Sequence, residues 1–178
     1  MISAMIAWLL AIPLLVVSVS AMSPADVKKH TVESLKAVPV GRDKAQNGID
    51  FYKFFFTNHK DLRKFFKGAE KFSADDVQKS ERFEKLGTSL LLAVHILANT
   101  YDNEAVFDGW VRELMNRHEK RGVDAKLWKI FFDDIWVPFL ESKGAKVSDD
   151  TKAAWKELNK KFNSEAQHQL EKLGLPHV

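Results

Sequence analysis

Apolar residues recur along this chain at intervals of three and four, and that spacing predicts helix through most of residues 22–178. No stretch keeps the strict alternation that a half-buried strand would need. Ser23-Pro24-Ala25-Asp26 opens a first helix with a hydroxyl cap and a first-turn proline, and that helix is expected to end near Val38-Pro39. A second helix is expected from about Asp43 to Thr57, with a short turn of helix over Lys60–Phe65 and another opening at Ser73. A long helix follows from about Ser80 to Thr100. Its core row is Phe83, Leu86, Leu90, Val94 and Leu97, and Leu91, Ala98 and Tyr101 widen it until two sides are apolar. Two more helices are expected over about Asn103–Lys120 and Asp124–Ser142. A last one is capped by Ser148, carries Trp155, Leu158 and Phe162, and stops before Gly174. Six substantial helices and one or two short ones, joined by brief loops, make an all-α domain.

Residues 1–21 break this pattern. They hold no charge, their centre is almost wholly apolar, and Val19 and Ala21 provide small residues for cleavage after Ala21. We read 1–21 as a secretory signal peptide, although it lacks a basic start, and 22–178 as one domain. A retained membrane anchor is the competing reading, since the stretch is just long enough to span. Pro13 and the small residues at its end favour cleavage, and with it a secreted, extracellular protein that has no membrane association.

The chain has no cysteine, which excludes a disulfide framework, a thiol nucleophile and thiolate-bound metal. Its 27 Lys and Arg are interspersed with 24 Asp and Glu, so no basic face is offered to nucleic acid.

Three features suggest chemistry. Among six histidines, His118 alone continues a buried stripe, with Phe107, Val111 and Leu114 at spacings of eleven, seven and four. A chargeable ring placed there needs a partner. His95 also lies in an apolar run but falls off its helix's core row, so we read it as a core or helix-contact histidine. Secondly, six of thirteen phenylalanines fall within residues 51–66, with Tyr52 among them. Most must simply be core, yet a flat apolar ligand also needs aromatic walls. Thirdly, Gly48 and Gly87 each sit inside a helix, where glycine costs about 1 kcal/mol relative to alanine. Two helices crossing with their backbones nearly touching would explain both.

Several motifs resemble the globins, and the nematode branch in particular. They are Asn47-Gly-Ile-Asp-Phe-Tyr52, Leu62-Arg-Lys-Phe-Phe66, Phe72-Ser-Ala-Asp-Asp-Val-Gln78, Leu91-Leu-Ala-Val-His-Ile-Leu97 with Thr100-Tyr-Asp, and Arg112-Glu-Leu-Met-Asn-Arg-His118. Their order is the family's over about residues 26–165. The resemblance implies a globin fold around one haem b (iron protoporphyrin IX) per chain. It makes His118 the iron ligand, Phe66, Leu86, Leu90 and Leu114 further haem contacts, and Tyr52, Leu86 and Leu90 the residues facing the diatomic ligand. It also implies that Gly48 and Gly87 mark a helix crossing. Arg117, Lys120, Arg121 and Lys85 are within reach of the haem propionates, and each reads equally well as ordinary surface charge. Two positions depart from the family pattern. Leu86 stands where His or Gln is common, and Lys60 stands where a proline is usual.

The function implied is reversible binding of molecular oxygen for transport or storage, without enzymatic turnover. The His118 ring should donate to a carbonyl one turn back, near Leu114. Leu86 cannot donate a hydrogen bond, so Tyr52 is the expected distal donor. Two other classes compete: scavenging of nitric oxide or peroxide on the same haem, and a haem-free secreted helical binder of lipids. Leu86 weakens the peroxide version, which wants a distal acid–base group.

Overall fold

The computed structural model describes residues 22–178, so the leader reading of 1–21 lies outside the described residues. The described chain is all-helical, without strands. Helix α1 spans Pro24–Ser34 and begins where the Ser23 hydroxyl accepts from the Asp26 N–H at 3.2 Å. It tightens into a 3-10 turn over Leu35–Ala37, so regular helix ends a few residues before the expected Val38-Pro39. Helix α2 spans Ala45–Asn58, and a 3-10 helix over Lys60–Phe65 follows it. The short α3, Ala74–Gln78, starts with a reciprocal cap between Ser73 and Asp76.

Helix α4 is Glu81–Thr100 and α5 is Glu104–His118, the latter capped by the Asn103 side chain. A 3-10 turn over Glu119–Arg121 runs into Gly122, whose φ of 63° reverses the chain. The expected helix over 124–142 is three pieces: α6 over Ala125–Ile130, a π-helical segment over Phe131–Trp136, and α7 over Val137–Ser142. Pro138 accounts for the break. Proline lacks the N–H that would bond the Asp134 carbonyl, and its ring crowds that carbonyl, so the ladder widens ahead of it. The Val137 N–H accordingly bonds Phe132 O, five residues back. From the last helix, α8 (Asp149–Lys172), Asn159 Nδ2 donates to Lys129 O at 2.7 Å, just before the wide turn.

Helix α2 packs across α4, α1 lies against α8, and α5 bridges α4 and α8. The α2–α4 crossing is the closest approach. A Cβ added to Gly48 would lie 2.3 Å from the carbonyl carbon of Gly87, so the two backbones touch there. One core runs through the whole bundle, with Trp136, Trp155, Phe51, Phe56, Phe83 and Phe107 among its fully buried side chains. Each such ring removes enough apolar surface from water to contribute about 2–3 kcal/mol. The Trp155 indole is also satisfied, donating to Ser34 Oγ at 3.0 Å.

Candidate functional site

A cavity of about 330 Å³ opens between α2, α4, α5 and the α6–π segment. All six residues singled out in the sequence as haem or ligand contacts line it: Tyr52, Phe66, Leu86, Leu90, Leu114 and His118. His95 does not. Partly buried on α4, it sets its Nε2 3.0 Å from Val38 O, just past the 3-10 turn that follows α1, a structural contact outside the cavity.

His118 closes α5, so its side chain reaches beyond the last turn. Its Nδ1 lies 2.8 Å from Leu114 O. A carbonyl can only accept, so Nδ1 carries the proton and Nε2 keeps a free lone pair. Burial pushes the ring's pKa below its ordinary value, the bond to Leu114 O partly opposes that, and Arg121 and Arg117 push it lower again. The ring is therefore neutral at pH 7 and suited to ligate. Trp128 stands edge-to-face against it, with centroids 5.1 Å apart and planes at 86°.

Across the cavity, Tyr52 lies one turn along α2 from Gly48, on the face that crosses α4. Its ring is buried and held edge-on or tilted by Phe51, Phe55, Phe66 and Phe83 at centroid distances between 5.2 and 6.4 Å. Burial raises the phenol's pKa, and the fields of Arg121 and Arg82 only partly offset this. It stays a neutral O–H donor. Leu86, beside Gly87, and Leu90, one turn on, bring aliphatic surface to the same side.

The charged residues in the lining are Arg82, Arg117 and Arg121, with no carboxylate among them. Of the four cations named from the sequence, Arg117 and Arg121 thus border the cavity, whereas Lys85 and Lys120 are exposed residues outside its lining. Arg82 was missed, although it lies four residues before Leu86 and so on the same helical face. Arg82 Nη1 donates to Lys67 O at 2.8 Å, and Arg117 is drawn aside to Glu113 (3.1 Å) and over the Trp110 ring (4.9 Å). Trp128 and Phe131 were missed as well, because no periodicity within one helix ties them to His118.

The globin family profile matches residues 49–166, about two thirds of the chain. A cuticular isoform of globin from Nippostrongylus brasiliensis is 85% identical over 171 residues, covering 96% of this chain and 99% of that protein. A myoglobin from the same nematode is 63% identical over 155 residues, covering 86% of this chain and 99% of its own length. Among solved structures, the Caenorhabditis elegans globin-like protein GLB-1 superposes with a TM-score of 0.84 at 48% identity, covering 88% of this chain and 99% of that one.

Proposed function

The chain belongs to the globin family and binds oxygen at a haem, and on that premise we propose which residues hold the haem, which meet the ligand, and where the protein works. One haem b per chain fills the cavity. His118 Nε2 ligates the iron, Phe66 stacks on the macrocycle, and Leu86, Leu90 and Leu114 pack against it. The bound haem supplies an iron with one position open to a diatomic ligand. The observation that carries this reading is the pairing of a neutral, oriented imidazole and a buried phenol across one apolar cavity. The donor set fits as well. His118 is the one residue of the cavity lining among His, Cys, Asp and Glu, a single protein donor that suits a metal held chiefly by a macrocycle. The three arginines in the lining suit a dianion, with Arg82, Arg117 and Arg121 as the counter-charges for its propionates once each leaves its present protein contact.

Tyr52 donates its hydroxyl proton in a hydrogen bond to the diatomic ligand. Leu86 and Leu90 keep water from that side, which slows loss of the ferrous state. The family consists mainly of oxygen binders that turn nothing over. We assign this chain to oxygen transport or storage for the same reason, because Leu86 supplies no acid–base group for peroxide chemistry.

We place the protein outside the cell, with 1–21 as its leader and 22–178 as the mature domain. The match to the cuticular globin takes in all but seven residues and so extends into the apolar segment. The match to the myoglobin is shorter, 155 residues, yet covers nearly all of that protein.

The test is an absorption spectrum of the ferrous protein with and without oxygen, beside His118→Ala. A haem spectrum that shifts reversibly in the wild type and gives way in the variant to a weakly held species is the expected result. The loss of haem affinity should exceed the roughly hundredfold that removal of a supporting residue can cost. A variant indistinguishable from wild type would return His118 to the status of a core histidine.

A further inference from the structure

We propose that Trp128 is a positioning residue for His118, setting the rotation of the imidazole and sealing the space behind it; this rests on the assignment of His118 as the iron ligand. Local chain geometry brings the two together. Helix α5 ends at His118, Gly122 reverses the chain in the left-handed region, and Asp124 caps α6 by accepting from the Lys126 N–H at 2.9 Å. One turn into α6, Trp128 therefore returns to within 5.1 Å of the ring that lies ten residues before it.

The bond from Nδ1 to Leu114 O restrains the imidazole from one side only, because it fixes one ring atom and leaves the plane free to rock about it. An indole edge-to-face at 86° blocks that rocking. Trp128 is itself braced by Phe162, with centroids 6.1 Å apart, and Phe162 by Phe132 at 5.4 Å. The indole N–H is buried and has no hydrogen-bond partner. Its seating against His118 therefore comes from ring packing and not from a hydrogen bond to protein.

A second cavity, of about 360 Å³, lies on the far side of this pair, walled by the turn after α5 and by Leu170, Leu175 and Pro176. His118, Val123 and Trp128 are the residues that border both cavities. Trp128 is much the largest of them and forms the partition. Shortening it joins the two spaces and brings water to the imidazole from behind.

The experiment compares Trp128→Leu and Trp128→Phe with Trp136→Phe, a control that removes another buried, unpartnered indole N–H outside the lining of either cavity. The readouts are the iron–histidine stretching band in the resonance Raman spectrum of the ferrous holoprotein and the rate of haem loss. Trp128→Leu is expected to shift and broaden the band and to quicken haem loss roughly tenfold, as loss of a supporting partner does. Trp128→Phe keeps an edge-to-face ring and should hold the band near its wild-type position, with an intermediate rate. Trp136→Phe should leave the band in place. An unmoved band in Trp128→Leu, with haem loss no faster than in Trp136→Phe, overturns the proposal while leaving the haem assignment intact. Absence of any iron–histidine band from the wild type overturns both. If Trp128→Leu does not fold, Trp128→Phe decides by its haem-loss rate: faster than Trp136→Phe supports the role, and equal to it overturns the role.

Discussion

On one side of the cavity His118 takes its geometry from its own neighbourhood: a carbonyl four residues back in the same helix, and an indole ten residues on after one glycine turn. On the other side Tyr52 leans on Phe51 and Phe55 of its own helix and also on Phe66 and Phe83, which lie further along the chain. Its helix meets α4, which carries Phe83 and Leu86, where Gly48 and Gly87 bring the two backbones into contact. The proximal side is thus built mainly within one stretch of chain, from Leu114 to Trp128, and meets the rest of the core through Phe162 of α8. The distal side is a tertiary construction, and anything that separates α2 from α4 should disturb it first.

The largest effect that distinguishes the two sides is expected from Gly48→Ala. The new Cβ would overlap the Gly87 backbone at 2.3 Å, and neither backbone can yield as a flexible side chain would. Overpacking of that kind costs about 3 kcal/mol, against a helix-propensity gain of about 1 kcal/mol. Urea unfolding should therefore show a net loss of about 2 kcal/mol or more. Any folded fraction should keep its iron–histidine band while its oxygen off-rate rises. Wild-type stability in this variant would mean that the crossing is looser than the structure has it.

Next in size is Tyr52→Phe, which leaves the packing of the ring intact and removes only the donor. A hydrogen bond to a partly charged acceptor contributes about 1.5–3 kcal/mol, so stopped-flow should find the oxygen off-rate raised roughly ten- to a hundredfold. An unchanged off-rate would remove Tyr52 from the ligand's surroundings and leave the distal side without a donor.

The smallest effect is a pH dependence. Burial raises the Tyr52 pKa above its ordinary 10.0, so the folded chain keeps a proton that the unfolded chain releases. The resulting stability is complete below pH 10 and is lost as the pH climbs past it. Urea midpoints of the haem-free protein from about pH 9 to about pH 11 should fall less steeply in Tyr52→Phe than in the wild type. Equal slopes would mean that the phenol is solvated.

The sequence by itself determined most of the helices, their caps and six of the residues that meet in the cavity. Those signals are local: Ser23, Ser73, Asn103 and Ser148 each cap a helix through a side chain within three residues, and the His118 stripe repeats within α5. The paired glycines pointed to the α2–α4 contact as well, because glycine within a helix is costly unless something must approach it. What only the tertiary structure decided depends on distances between elements. Trp128 faces His118 because a left-handed turn folds α6 back, and Arg82 borders the cavity where Lys85 and Lys120 do not. The helix over 124–142 divides around a π segment because the Pro138 ring and the packed wall of α8 must both be accommodated. Side-chain periodicity within one helix records which face is buried. Where that face lands on another element follows from crossing angles and turn geometry, which no single helix encodes.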